Sequence, residues 1–311
     1  MVKNSPGARA GWAAACALAA ALGAAPRALA QTRPAASGRA QVPRPDQHLG
    51  PEPRAEVRRV VTLAPSLTEL VLALGAGERL VGVTRFDDDA RVAGLPRVGG
   101  YNDPEPEAVL RLSPDLVLAQ PAPENRGPVE ALARLGVPID AFKLGTMREI
   151  ESALEAVGAR LGLSARAGEL IAALEQRRRE VRAAAPCKGL RALLVFGLEP
   201  LVVAGRSGFA GELLEDTGAA NAVDDARPFV RLSAEAAVAM RPDRIVLCGV
   251  EAPAGRPALA GLGGVPVEAL RGPALLHPGP RLGEALDDLV AALGRAQGGS
   301  PRPAGPGGGA R

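Results

Sequence analysis

Residues 164–185 have the hydrophobic period of a long amphipathic helix. Their apolar stripe consists of Ala167, Leu170, Ile171, Leu174 and Val181, and charged side chains occupy most other positions. This spacing of three, four and seven residues aligns apolar side chains on one face of a helix. With Ser164 as the expected N-cap and Pro186 as the stop, about 20 helical residues form a rod of about 30 Å.

Short apolar runs alternate with helical patterns on both sides of this helix. Strands are expected at residues 58–64, 80–84, 116–119, 138–142, 190–196 and 244–246. Helices are expected at residues 66–74, 105–112, 128–135 and 210–216, with Ser66–Glu69 and Thr146–Glu149 as capping boxes. Such alternation predicts α/β structure with mostly parallel sheets. The long helix then either connects two α/β lobes or crosses over within one sheet.

An internal repeat favours two lobes. Residues 107–118 match residues 235–246 without a gap. Each copy predicts a short helix that begins with a glutamate, followed by a Pro-Asp turn and a buried strand. We therefore expect two α/β lobes of similar design, bridged by a single long helix, with a cleft between them where ligand sites preferentially form.

The first thirty residues have the features of a cleavable export signal. Basic residues precede an uncharged run over residues 10–25, and Ala28-Leu29-Ala30 offers the small residues that signal peptidase requires. A transmembrane anchor is an alternative, but the run is shorter than the roughly 20 residues that a bilayer core needs. Lipidation at Cys16 is a second alternative to a cleavable signal. We expect a mature chain that begins at Gln31.

The remaining chain divides by composition and pattern. The expected parts are a signal peptide (1–30), a disordered Pro-rich tether (31–56), an N-terminal α/β lobe (57–145), connecting helices (146–186), a C-terminal α/β lobe (187–296) and a disordered tail (297–311). The tether and the tail lack an apolar period, so they cannot bury enough surface to offset the entropy of ordering.

Charge and cysteine usage narrow the possible functions. The net charge is only +3 and charges of both signs are interleaved, so no nucleic-acid partner is indicated. Cys187 precedes one predicted strand and Cys248 ends another, which in parallel strands puts the sulfurs at opposite edges of the sheet. We therefore expect free thiols. Aromatic residues make up only 2% of the chain, so the few that occur are informative.

An exported α/β enzyme is the alternative function, but the sequence contains few residues that could form a catalytic site. His277 is the one histidine beyond the expected tether, and no Gly-x-Ser-x-Gly elbow is present. The segment Gly205-Arg206-Ser207-Gly208 lacks the Lys-Ser/Thr ending of a phosphate loop. Asp87-Asp88-Asp89 reads as a solvated turn. We expect no catalytic residue, no metal site and no intrinsic cofactor, with His277 as a loop residue near the cleft.

Four segments, taken together, resemble one family of transport proteins. They are Arg59-Val60-Val61-Thr62-Leu63-Ala64-Pro65-Ser66-Leu67-Thr68-Glu69-Leu70, Val98-Gly99-Gly100-Tyr101, Leu112-Ser113-Pro114-Asp115-Leu116-Val117 and Pro280-Arg281-Leu282. Their order and spacing resemble the periplasmic substrate-binding proteins of ABC importers for cobalamin and ferric siderophores, over residues 57–293. The resemblance implies a class III fold, two lobes bridged by one rigid helix that closes little on its ligand.

Strand direction and this resemblance together suggest a ligand site. Loops at the carboxyl ends of parallel strands carry ligand contacts, and the aromatic residues there are Phe86, Tyr101, Phe196 and Phe229. The resemblance implies that three of them, Phe86, Tyr101 and Phe229, face a corrin ring, whereas Gln120 stands where another ring is expected. Arg206 and Arg227 either meet an anionic ferric chelate or are solvated surface residues. A cobalamin-type corrinoid is the first ligand hypothesis, and a ferric siderophore or haem the second.

The resemblance also implies a partner. Glu107 and Glu235 occupy the same place in the two copies of the repeat. By resemblance, such a pair docks into arginine pockets on the two permease subunits of an ABC importer in the inner membrane. A local explanation exists too, since a carboxylate in the first helical turn is stabilised by the helix dipole. We expect a periplasmic monomer that delivers its ligand to this permease.

Overall fold

The computed structural model describes residues 43–54, 56–250, 257–270 and 272–295, so the expected signal peptide and tail lie outside the described residues. The strands are β1 (Gln47–Leu49), β2 (Val60–Thr62), β3 (Leu80–Gly82), β4 (Leu116–Ala119), β5 (Ile139–Ala141), β6 (Arg191–Leu198), β7 (Leu201–Ala204), β8 (Ala220–Asn221), β9 (Phe229–Leu232), β10 (Arg244–Leu247) and β11 (Val267–Ala269). The helices are α1 (Pro65–Ala73), α2 (Pro106–Arg111), α3 (Arg126–Arg134), α4 (Met147–Leu161), α5 (Ser164–Ala184), α6 (Phe209–Asp216), α7 (Ala234–Ala239) and α8 (Leu282–Arg295).

These elements form two α/β lobes, as the alternation of strand and helix patterns predicts. The first sheet has the order β1-β5-β4-β2-β3, in which β2 to β5 are parallel and β1 is antiparallel to β5. The second has the order β11-β10-β6-β7-β9, with β8 also paired to β6. There, β7 runs antiparallel to both of its neighbours, β6 and β9, and the other pairs are parallel. Helices cover both sheets, so the central strands are mostly apolar and nearly all of their residues are buried.

Helix α5 bridges the lobes. Its buried residues Ala167, Leu174 and Val181 are spaced by seven, so they form one stripe along the helix. The helix packs on α4 beside the first lobe and on α6 and α8 of the second lobe. One continuous apolar core contains residues of both lobes together with this stripe. The single-helix bridge expected from the sequence is therefore present.

Hydrogen bonds reinforce the junction between the lobes. The buried Asp216 at the end of α6 accepts hydrogen bonds from Arg178 Nε at 2.5 Å and from Arg182, both on α5. The Phe209 amide, at the start of α6, donates to Gly145 O at 2.9 Å, just before α4. The junction is thus held by charged hydrogen bonds as well as by apolar packing.

The sequence repeat is also a structural repeat. Asp115 accepts a hydrogen bond from the Arg59 amide at 3.0 Å, and Asp243 accepts one from the Arg191 amide at 2.9 Å. The residues before the two Pro-Asp turns, Ser113 and Arg241, both have positive φ, 45° and 49°. Each aspartate therefore attaches its short helix to the start of the first parallel strand of its own lobe.

Several local predictions are wrong. Gln47–Leu49 is a strand, not part of a disordered tether, because it pairs with the open edge of β5; residues 31–42 lie outside the described part. Leu163, not Ser164, is the N-cap of α5. Thr146 and Glu149 form the expected capping box, but the helix that they start has 15 residues, whereas their position before the long helix suggested only a short one. Within the described ranges, no helix is both long and apolar enough to cross a membrane.

Candidate functional site

A cavity of about 460 Å³ opens where the two lobes meet. The first lobe contributes the start of α1 and the loops after β3 and β4, and the second contributes Leu276, His277 and Pro278 before α8. Two of the large apolar side chains that line it remain exposed to water, Phe86 by 55% and Leu276 by 39%. Exposed apolar side chains around a concave surface are typical of a ligand site.

The loop after β3 presents Phe86. The buried carboxylate of Asp87 accepts hydrogen bonds from the Thr84 amide at 2.7 Å and the Thr84 hydroxyl at 2.6 Å, which fixes the turn. Asp87 is therefore not the solvated residue that the sequence suggested. Asp89 caps the next turn, and its hydrogen bonds from Arg91 lower the pKa of its carboxyl from 3.8 to about 2. The Arg85 guanidinium lies 4.9 Å from the centre of the Phe86 ring.

The loop that carries Tyr101 depends on glycine. Gly99 has a φ of +93°, and a Cβ on Gly100 would lie 2.7 Å from Arg85 Nη2, so neither position accepts a side chain without strain or displacement. Arg85 bonds Asp103 across this loop at 2.7 Å. Burial, and then the nearby carboxylate of Glu124, raise the pKa of the Tyr101 phenol.

Asn125 holds the cavity loops together, and sequence reasoning missed it. Its buried amide nitrogen donates to Tyr101 O and to Gln120 O, both at 2.9 Å, and its oxygen accepts from the Ala122 amide at 3.1 Å. Gln120 and Tyr101 both line the cavity. No local signal marks this role, because Tyr101 lies 24 residues away along the chain.

The second lobe reaches the cavity through a contact that overturns one prediction. Ser66 and Glu69 do not form a capping box; the N-cap of α1 is Ala64, with no side-chain cap. Instead, the Glu69 carboxylate lies 2.7 Å from His277 Nδ1, 208 residues away. His277 is a loop residue in the cleft, as expected, and its contact with Glu69 links the two lobes.

The second-lobe aromatics form a separate cluster. The rings of Phe196 and Phe229 meet edge to face with centroids 5.0 Å apart, and Phe209 lies 6.4 Å from Phe229. Neither Phe196 nor Phe229 lines the cavity that contains Phe86 and Tyr101. The cluster nonetheless lies beside the lobe junction, because the Phe209 amide bonds Gly145. Phe229 is 40% exposed, so part of its ring remains available.

The two arginines predicted to meet an anion already have carboxylate neighbours. Arg206 Nε lies 3.1 Å from Asp224, and Arg227 Nη2 lies 2.7 Å from Asp225. Hydrogen bonds from Arg227 lower the pKa of Asp225 to about 2. An anionic ligand would have to compete with these partners.

Glu107 and Glu235 are exposed in the first turns of α2 and α7. The structural repeat gives them equivalent places in the two lobes. A hydrogen bond from its own amide, and one with Ser233, lower the pKa of Glu235. This local stabilisation agrees with the helix-dipole explanation and leaves the docking role a prediction.

A second cavity, of about 530 Å³, lies within the first lobe. It is lined by β1, α3 and the ends of β4 and β5, including Gln47, Leu49 and Val129. None of the described residues around it comes from the second lobe, and none is aromatic. The cavity between the lobes is therefore the better candidate for a ligand.

Comparison with known proteins agrees with this geometry. The model of the periplasmic binding protein family matches residues 60–253, more than half of the chain. The chain belongs to the periplasmic binding protein family. Members of this family are transport receptors and not enzymes, so the chain is a transport receptor and not an enzyme.

Relatives within the periplasmic binding proteins have two kinds of named ligand. A vitamin B12-binding protein of Yersinia pestis (strain Pestoides F) is 30% identical over 205 residues, covering 64% of this chain and 72% of the relative. The periplasmic vitamin B12 binding protein BtuF of Vibrio cholerae is 25% identical, with a TM-score of 0.63 over 78% of this chain and 98% of that structure. A periplasmic heme binding protein of Pseudomonas aeruginosa is 30% identical, with a TM-score of 0.67 over 77% and 94%.

Proposed function

We propose that this chain is the periplasmic receptor of an ABC importer and captures a cobalamin-type corrinoid between its lobes. The observation that carries this proposal is the cavity lined by Phe86 and Tyr101 of one lobe and Leu276 of the other. Covering the exposed apolar surface of Phe86 and Leu276 with a large planar ligand removes it from water. Such burial is worth about 25 cal/mol per Å² before the costs of association.

The aromatic rings favour a flat ligand. Phe86 and Tyr101 offer ring faces and edges to a macrocycle, and aromatic pairs add about 0.5–1.5 kcal/mol beyond area burial. Phe229 lies outside this cavity, and we propose that the exposed part of its ring meets the part of the ligand that projects beyond the cavity on the second lobe. Arg206 and Arg227 would contact polar groups at the edge of the ligand after exchanging their aspartate partners.

Haem or another ferric chelate is the second candidate. Tyr101 supports it, because the residue lines the same cavity and tyrosine oxygen is a known ligand of haem iron. Its hydroxyl donates a long hydrogen bond of 3.4 Å to Pro121 O, which it would give up to bind iron. The chain is also as similar to the heme binding protein of Pseudomonas aeruginosa as to the Yersinia relative, at 30% identity to each. A corrinoid and haem are both planar macrocycles with a metal at the centre.

Export and delivery complete the proposal. Residues 1–30 act as a cleavable signal peptide, and the mature chain begins at Gln31. Glu107 and Glu235 dock onto the two permease subunits, one glutamate from each lobe. Because exposed ion pairs are individually weak, the pair sets orientation and encounter rate more than affinity.

A thermal-shift panel on ligand-free protein tests the proposed ligand. Ligand at 100 times its dissociation constant should add about 2.7 kcal/mol to the free energy of unfolding. We expect an upward shift in Tm with cyanocobalamin, or with haemin if the second candidate holds, and a smaller shift at the same concentration for Phe86→Ala. The absence of a shift with cobalamin, haemin and a set of ferric siderophores would overturn the proposal.

A further inference from the structure

Both histidines of the chain contact a carboxylate, but only one of them lines the cleft. His48 Nδ1 lies 2.6 Å from the buried Asp140, and His277 Nδ1 lies 2.7 Å from Glu69. His48 is on β1 at the edge of the first sheet, and its Nε2 contacts Pro51 O at 3.1 Å. His277 lines the cavity between the lobes. Both histidines therefore contact a carboxylate through Nδ1, but His48 lies at the edge of a sheet and His277 lies in the cavity.

The contact with Glu69 fixes which nitrogen of His277 can bind a ligand. An ionised carboxylate only accepts hydrogen bonds, so Nδ1 carries the hydrogen and donates it to Glu69. In the neutral ring, Nε2 then has a free lone pair. Among the described residues, none forms a hydrogen bond with Nε2, and Nε2 is not one of the buried side-chain atoms that lack a partner.

The position of Glu69 favours a more basic Nε2. Its side chain is only 10% exposed, and Oε2 is buried without a hydrogen-bond partner in the described structure. Arg281 approaches no closer than 3.8 Å, and its Nε instead donates to Glu284 at 3.0 Å. The imidazole is thus the nearest partner of a poorly solvated negative charge. A carboxylate on the far nitrogen orients a ligating histidine and raises its basicity.

The cavity also contains apolar and aromatic side chains on which a planar ligand could stack. Phe86, Tyr101 and Leu276 line it together with His277, so a planar ligand stacked there comes within reach of the imidazole. The His277 loop lies close to α1, because a Cβ built on Gly279 would lie 3.6 Å from Ser66 O, an ordinary contact distance. The loop therefore lies against the first lobe and not free in solvent.

We propose that His277 Nε2 coordinates the metal at the centre of the bound macrocycle, either the cobalt of a corrinoid or the iron of haem. This inference rests on the proposed function and deepens it. The step is a ligand exchange, in which the bond between the metal and its axial water breaks, the Nε2 lone pair forms a new bond, and water leaves to solvent. No electron is transferred, and the Nδ1 proton stays in its hydrogen bond to Glu69.

Absorption spectroscopy and affinity measurements on the exported protein test this assignment. The probes are hydroxocobalamin, whose axial water or hydroxide exchanges; methylcobalamin, whose methyl carbon blocks that position; and ferric haemin. For His277→Ala we expect affinity for the exchangeable macrocycle to fall about tenfold or more, and its spectrum to lose the bands of imidazole ligation. Methylcobalamin should bind both proteins equally, which also shows that the variant folds.

Three further variants make the test specific. His48→Ala should leave every spectrum unchanged, because its imidazole lies at the outer edge of the first sheet. Glu69→Gln should shift the ligation bands without abolishing them, because the amide oxygen still accepts from Nδ1 but carries no charge. In His277→Gly, imidazole added to the solution should restore the wild-type spectrum. Spectral changes confined to one macrocycle identify the metal.

The two proposals fail in different ways. Equal affinities and identical spectra for wild type and His277→Ala with hydroxocobalamin and haemin would overturn the assignment of His277 and leave the proposed function standing. If wild type binds none of the three macrocycles, the assignment of His277 is overturned. The proposed function is overturned as well if wild type also binds no ferric siderophore.

Discussion

At the scale of single residues, the cleft depends on side chains that do not touch the proposed ligand. The Asn125 amide bonds the carbonyls of Tyr101 and Gln120 and the amide of Ala122, so one buried side chain joins two ligand loops. Asp87 has the same function in the turn that presents Phe86. Because buried polar groups are costly when unpaired, such residues fix loop geometry more strongly than exposed contacts do.

Replacing Asn125 by alanine tests this role. The change leaves two carbonyls and one amide without their partner, so we expect the free energy of unfolding to fall by about 1–3 kcal/mol. Urea unfolding followed by circular dichroism measures this change. Asn102→Ala in the same region is the control, because its side chain is exposed and should change stability by no more than about 0.5 kcal/mol. Equal effects of the two variants would contradict the role of Asn125.

These long-range contacts also define what the sequence could and could not predict of the site. The positions of Phe86 and Tyr101 followed from strand direction, because loops at the carboxyl ends of parallel strands share one edge of a sheet. The contact between Glu69 and His277 could not be predicted. The spacing of Glu69 from Ser66 imitates a capping box, and His277 lies 208 residues away along the chain. Local pattern carries no information about such a partner.

At the scale of elements, α5 determines the relation between the lobes. Its buried stripe contributes to the core that both lobes share, and its arginines hold Asp216 at the end of α6. The helix was predictable because its period is local. The three-residue strand β1 could not be predicted, because it is defined by its pairing with β5. That pairing joins residues far apart in the sequence, such as His48 and Asp140, which are 92 positions apart.

Truncating the middle of the stripe should destabilise the whole protein. Leu174 is 6% exposed, and Leu174→Ala removes buried methyl groups and leaves a cavity, which costs about 2–5 kcal/mol. Leu135→Ala is the matched control, because that leucine is 63% exposed after α3 and should cost no more than about 0.5 kcal/mol. Urea unfolding compares the two. A loss for Leu174→Ala as small as that of the control would mean that α5 contributes little to the shared core.

At the scale of the whole molecule, the shared core argues for small motions. The two lobes are packed on the same helix and joined by the hydrogen bonds of Asp216 and Gly145. A large opening would break this packing, so binding is expected to involve local adjustment of loops. The spacing between Glu107 and Glu235 should then be nearly constant, which suits a receptor that meets two permease subunits at once.

Docking can be tested apart from ligand binding. Exchanging both Glu107 and Glu235 for alanine should abolish uptake by cells and weaken association with the cognate transporter, while ligand affinity in solution stays unchanged. The control exchanges Glu78 and Glu215 for alanine, because these glutamates are exposed, one on each lobe, and belong to neither α2 nor α7. Normal transport by the first double variant would show that the two glutamates only stabilise their helices and that the docking surface lies elsewhere.

Calorimetric titration of the purified protein with cyanocobalamin tests the central claim, that the cleft between the lobes binds a planar macrocycle. We predict one ligand per chain and a negative heat-capacity change from apolar burial. Affinity should fall when Phe86, which is 55% exposed in the cavity, is replaced by alanine, and should not change for Leu135→Ala. Binding that Phe86→Ala leaves intact would contradict the site, and no binding of cyanocobalamin or of haemin would contradict the account.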